Sequence, residues 1–179
     1  MQDIFIEYLV KQAKTPKTAI LKFLIFVGAF FLAIVFFIVS ASDLLGMLSF
    51  FGLFLSVGVI FGAYYLITSM NIEFEYSITN GEMDVDKIIA QRKRRRLISV
   101  KWRDVEAFGN YKPAEHVGKN YANSIFACDH PQSDNLWYCV TRVPQKGQVF
   151  LVFNASEKML EAIKKYLPKQ ILFTAFRRG

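Results

Sequence analysis

Two uncharged apolar stretches limit what this chain of 179 residues can become. No charged side chain occurs from Phe23 to Ser42, and after the single Asp43 none occurs from Leu44 to Ile72. Each run is long enough for a helix to cross a ~30 Å hydrocarbon core, which takes ~20 apolar residues. A core helix of a soluble domain would keep a polar stripe over such a length. The sequence therefore predicts a transmembrane helical hairpin over residues 16–71, with helices at about 16–40 and 44–71. Val39-Ser40-Ala41 has the small residues of a cleavage site. The apolar run, however, begins only at Phe23 and outlasts a ~7–15-residue signal core, so an uncleaved helix is expected. Neither span has an interior ionisable residue of the kind pumps and carriers use, and the pair reads as an anchor.

Lysine and arginine set the expected orientation. Of the 22 basic residues, only Lys11, Lys14, Lys17 and Lys22 come before the uncharged runs, and the connection Ser40–Asp43 has none. The positive-inside rule puts both termini in the cytoplasm of a multi-pass inner (plasma) membrane protein. The net charge of +7 is partly this topology signal. Cys128 and Cys139 would then face a reducing compartment and remain free thiols.

Residues 1–15 are expected to form a separate cytoplasmic or interfacial segment. Ile4, Phe5, Tyr8, Leu9 and Gln12 fall near one helical face, which predicts a short helix lying on the inner leaflet, broken at Thr15-Pro16. In the second span Gly58 and Gly62 make a GxxxG pattern that lets helix backbones approach. It marks a helix interface, with a second copy or a protein partner, or within the hairpin itself.

Residues 72–179 alternate and turn. Ile72, Phe74, Tyr76 and Ile78 share one face of a strand, with Glu73, Glu75 and Ser77 on the other. Asn80-Gly81 is a hairpin signal, and Glu82–Ile89 returns. Further strands are expected at Leu97–Trp102, Ser124–Asp129, Leu136–Val143 and Gln148–Phe153. Trp102, Val105 and Phe108, at spacing three, suggest a helical turn plugging the sheet. Asn154 with Glu157 makes a capping box, with Ser156 as another possible cap, for a helix whose apolar stripe is Met159, Leu160, Ile163, Tyr166 and Leu167. The expected domain is α+β: an antiparallel bent sheet or partly open barrel of about six or seven strands, capped by a C-terminal helix.

The run Glu75-Tyr76-Ser77-Ile78-Thr79-Asn80-Gly81-Glu82-Met83-Asp84-Val85-Asp86-Lys87-Ile88, then Arg94-Arg95-Arg96, then Ile98-Ser99-Val100 and Trp102, completes a pattern. With the membrane hairpin before it, the chain resembles an uncharacterised bacterial family of two-helix membrane proteins with a cytoplasmic pleckstrin-homology-like domain. The resemblance implies a fold rather than an activity. Pleckstrin-homology domains often hold phosphoinositide head groups with cations in the first hairpin loop. That loop would here be Thr79–Glu82, which has none, so the basic residues lie one connection later.

No catalytic pattern stands out. His116 and His130 lack a nucleophile at a suggestive spacing, and there is no phosphate-cradling glycine loop. Cys128 and Cys139 would fall opposite each other on paired strands, without the spacing of a zinc site. No enzyme activity, metal or cofactor is expected. The remaining constellation is Arg92-Lys93-Arg94-Arg95-Arg96. No aromatic or polar readers flank it, which argues against nucleic acid. Strand lengths return Gln91 close to the membrane surface, so these five residues are expected to form a turn facing anionic lipid head groups. The expected function is a non-enzymatic, membrane-anchored binding or scaffold module. The alternative is a structural or regulatory subunit of a larger membrane complex.

Overall fold

The computed structural model describes residues 5–42, 46, 49–116, 121–144 and 146–176. The chain forms two compact units, one of residues Lys14–Asn71 and one that joins Met1–Ala13 to Ile72–Gly179.

The first unit is a pair of helices, α1 (Pro16–Ala41) and α2 (Ser49–Ser69). Thr15 caps α1 by accepting a hydrogen bond from the Thr18 amide at 3.4 Å, with Pro16 in the first turn. Both helices are long and apolar enough to cross a membrane. The expected start of the second helix at Leu44 falls outside the described residues. The helices meet through small residues: Ala33 is buried on α1, and Ser49, Gly52 and Ser56 on α2. A Cβ on Gly52 would lie 2.7 Å from the Phe36 carbonyl oxygen. The ends are tied by a 2.7 Å hydrogen bond from Lys22 Nζ to Asn71 Oδ1. Outside that seam the helices expose bulky apolar side chains, among them Phe23, Phe31, Phe50 and Phe61.

The second unit holds two four-stranded sheets. The first has the order β1-β2-β3-β4, from β1 (Phe5–Lys11), β2 (Ile72–Thr79), β3 (Glu82–Ile89) and β4 (Lys93–Lys101). The second has the order β5-β7-β8-β6, from β5 (Val105–Asn110), β6 (Asn123–Ala127), β7 (Leu136–Val143) and β8 (Gly147–Asn154). Two helices follow, α3 (Glu157–Lys164) and α4 (Lys169–Phe176).

Several expectations need correction. Phe5–Lys11 is not an interfacial helix but a strand, paired antiparallel with β2 from Phe5↔Thr79 to Lys11↔Glu73. Ile6, Tyr8 and Val10 thereby join the apolar side chains of β2 on one face. Alternation and helical spacing both fit so short a segment, and its partner lies beyond the two helices. The first connection of the sheet is therefore the helical pair itself, not Thr79–Glu82. The sheets number two rather than one, and they are not wholly antiparallel, because β6 runs parallel to β8. The chain from Val105 to Asn110 is a strand, preceded by a short 3-10 turn at Trp102–Asp104. A register shift between Val105 and Ala107 breaks the alternation and turns both Val105 and Phe108 inward, which mimics helical spacing. A second C-terminal helix packs Ile171 and Phe176 on the core.

The core lies between the sheets. Tyr76, Ile78, Met83, Val85 and Val100 of the first sheet and Cys139, Val149, Leu151 and Phe153 of the second are fully buried, with Trp102, Met159 and Ile163. Ser156, not Asn154, caps α3, accepting from the Met159 amide at 3.4 Å. Asn154 instead clasps Asp129, accepting from its amide at 2.9 Å and donating to its carboxylate at 2.8 Å. Burial alone would raise the Asp129 carboxyl, but these and neighbouring hydrogen bonds hold it below its ordinary value.

The β2–β3 turn has Asn80 and Gly81 at φ 45° and 91°, the left-handed pair such a turn needs. A Cβ on Gly81 would lie 2.7 Å from Tyr166 Cδ1. Gly81→Ala should cost about 1–3 kcal/mol, read as a lower melting temperature of the full chain. Adding Tyr166→Ala should relieve the clash but not the backbone strain, so the double variant should lose less than the two single losses summed.

Candidate functional site: the basic edge of the first sheet

The basic run is mostly strand. The turn is Ala90–Arg92, closed by the Arg92 amide donating to the Ile89 carbonyl at 3.0 Å, with Ala90 and Gln91 at φ 55° and 57°. Lys93 to Arg96 then open β4, an edge strand. The expectation of a five-residue basic turn is corrected: five charged residues in a row hide any alternation. Cations along an edge also discourage pairing with a stray strand, which is a structural reason for their presence.

A β-bulge divides the run. β3 and β4 pair as Lys87↔Arg95 and Asp86↔Arg96, but then Val85 pairs with Ile98, skipping Leu97. The extra residue puts Arg94 and Arg96 on the outer face, opposite the core. Lys146 Nζ donates to the Leu97 carbonyl at the bulge, at 2.8 Å.

The outer face is a lattice of charge. Arg94 bonds Glu75 and lies 3.9 Å from Asp86. Arg96 bonds Asp84 at 2.9 Å and Asp86 at 3.1 Å. The hydrogen bond that Arg96 donates to Asp86 raises the Arg96 pKa above its ordinary value. Lys11 lies 3.7 Å from Glu73, which also accepts from Gln91 at 3.2 Å. Glu73, Glu75 and Asp86 are only 6–8 % exposed. The carboxylates of this face are thus covered by the basic side chains themselves.

Lys93 and Arg95 lie on the other face of β4 and are exposed. They share it with Lys87 of β3, a residue the sequence reading passed over because it sits alone among apolar neighbours.

This end of the sheet is also where the chain leaves for the helices and returns. Gln12 donates its amide to the Ile72 carbonyl at 3.0 Å, and Ala13 donates to Asp129 at 3.0 Å. Ile72 pairs with Ile89, and Ile89 with Lys93. Strands lie ~4.8 Å apart, so Lys93 is about 10 Å from the point of return.

The other expected residues scatter. Gly58 and Gly62 face away from α1, with nothing within 4 Å of an added Cβ. Cys128 and Cys139 are free and buried, but not paired across strands: Cys139 faces Leu151 and Phe108 in the main core, and Cys128 joins a separate cluster with Phe150 and Val152. Burial pushes the Cys128 thiol up to about 11. His116 packs against Tyr138 and Phe150, ring centres 4.5 and 5.0 Å away, with Nδ1 3.2 Å from the Tyr121 hydroxyl. Among the described residues no group of three His, Cys, Asp or Glu side chains is placed to hold a metal ion. A groove of about 370 Å³ runs along β5, β7 and α4, lined by Phe108, Trp137, Tyr138 and Phe176. Its residues come from three separate stretches, so no local pattern marks it.

The ion-pair lattice has a measurable consequence. Arg96→Ala strands two carboxylates and should cost about 1–2 kcal/mol in thermal unfolding of the full chain. Lys93→Ala should change stability by no more than about 0.5 kcal/mol, as exposed positions do.

The bacterial PH-like domain family (DUF6106) has a model that matches residues 2–173. No curated protein and no solved structure matches the chain. The match runs through β1, both helices and both sheets, so the insertion of the helical pair between β1 and β2 lies within it. The chain belongs to the bacterial PH-like domain family.

Proposed function

We propose that the protein is a non-enzymatic binding or scaffold module, anchored in the inner (plasma) membrane, whose PH-like unit meets anionic lipid head groups with the rim around the β3–β4 turn. One observation carries this reading: the exit to the helices, the return from them and the basic turn share one end of the first sheet. Two helices that expose bulky apolar side chains along their length suit lipid, since water tolerates no such continuous surface. The pairing of β1 with β2 supports an even number of crossings, because it needs both ends of the helical pair on one side. The charge bias in the sequence makes that side the cytoplasm.

Within the run the roles divide. Arg92, Lys93 and Arg95 supply the head-group contact, each gaining ~1 kcal/mol near an anionic surface. Arg94 and Arg96 hold the sheet's own carboxylates. The test uses the full chain in nanodiscs, with and without phosphatidylglycerol. Amides of residues 90–96 should exchange hydrogen more slowly in the anionic discs, and Arg92→Ala/Lys93→Ala/Arg95→Ala should abolish the difference. Equal exchange in the two disc types would sink the reading.

A second reading, a subunit of a larger membrane complex, is favoured by the outward-facing Gly58 and Gly62. A second copy or another helix would pack there. Crosslinking in native membranes should yield a product that Gly58→Ile removes; a product unchanged by the substitution would exclude this face.

A further inference from the structure

We propose that Lys87, Lys93 and Arg95 form a site for a phosphate monoester dianion carried on a lipid head group. This rests on the reading that the rim meets lipid, and assigns both the residues and the ligand class. Lys87 stands directly opposite Arg95 in the β3–β4 register, and Lys93 lies two residues further along the same face. Like charges directly opposite on neighbouring strands destabilise a sheet. The other like-charged pair directly opposite in this sheet, Glu75 and Asp86, is bridged by Arg94, and Lys11, Arg96, Lys101, Lys112 and Arg142 each have a carboxylate within 4 Å. Among the described residues Lys87, Lys93 and Arg95 make no ion pair.

The bulge at Leu97 sharpens the contrast. It turns Arg94 and Arg96 onto the carboxylates and leaves Lys93 and Arg95 on the face of Lys87 with no acid between them. Lys87 pairs with Phe74 on its other side and is half-buried, so its ammonium group must reach outward along the strand face.

The three Cβ atoms are spaced roughly 5–8 Å apart, as direct and diagonal cross-strand neighbours are. Their long side chains can therefore converge on one phosphate. Arg95 offers a planar fork for two oxygens, and the lysines add point charges. A phosphate diester presents one negative charge, whereas a monoester carries roughly 1.5 to 2 at neutral pH, which better balances three cations.

The experiment melts the full chain in neutral detergent micelles with added phosphatidic acid, phosphatidylglycerol, phosphatidylcholine or inorganic phosphate. Phosphatidic acid should raise Tm by about 5 °C at saturating levels, phosphatidylglycerol by less, and phosphatidylcholine not at all. Lys87→Gln, which relieves the like-charge pair, should raise the lipid-free Tm and shrink the response to phosphatidic acid. Arg94→Gln should lower the lipid-free Tm and keep the response. A full response in Lys87→Gln/Lys93→Gln/Arg95→Gln would overturn the site. Equal responses to the two anionic lipids, both lost in that triple variant, would overturn the dianion assignment and leave the lipid reading standing. A response to inorganic phosphate alone would keep the phosphate chemistry and remove the lipid.

Discussion

The two sheets are bound at one buried phenol. Tyr76, in the middle of β2, is fully enclosed; its hydroxyl donates to the Ala127 carbonyl at the end of β6 and accepts the Asn154 amide at 3.4 Å. Its ring packs between Tyr8 of β1 and Phe153 of β8, with centres 6.1 and 6.0 Å away. One side chain thus links the N-terminal strand, the first sheet and the C-terminal ends of β6 and β8 in the second. Burial lifts its pKa well above the ordinary phenol value, so it stays a neutral donor. A buried hydroxyl in an apolar layer needs such partners, and once it has them it fixes how the layers register.

β2 is also where the two chemistries of the first sheet divide. Its inner side chains build the core; of its outer carboxylates, Glu73 meets Lys11 of β1 and Glu75 meets Arg94 of β4, a strand that never touches β2 directly. The long guanidinium side chain of Arg94 reaches across β3 to do so. Small irregularities decide the outcome. Without the bulge at Leu97, Arg94 and Arg96 would face inward and Lys93 and Arg95 outward, and Glu75 and Asp86 would lose their guanidinium partners. The bulge at Val105 likewise lets Phe108 reach Trp102, with ring centres 5.7 Å apart.

Much of this was legible in the sequence. Alternation from Ile72 to Ile78, Asn80-Gly81 and the stripe from Met159 to Leu167 each depend on neighbours in the chain, and they foretold β2, its turn and α3. What stayed hidden depends on distant partners. Phe5–Lys11 is a strand only because β2 is there to receive it, some sixty residues later. Val105–Asn110 was masked by its bulge, and the parallel pairing of β6 with β8 leaves no local trace. At the candidate site the cations were visible as a run, but their division between two faces was not, since it turns on where Leu97 is skipped. Lys87 drew no attention for the same reason: its meaning lies in the residue opposite.

The placement of the helical pair between β1 and β2 bears on how the protein is made. β1 leaves the ribosome ahead of the helices, yet its hydrogen-bonding partner emerges only after both helices have been synthesised. Until then Phe5, Leu9 and Val10 have no sheet to join, and the core lacks one wall. Completion of the sheet therefore waits until both helices have been made and the chain has come back to β1. A chain whose helices kept β1 from β2 would leave the edge of β2 unpaired and open to a stray strand.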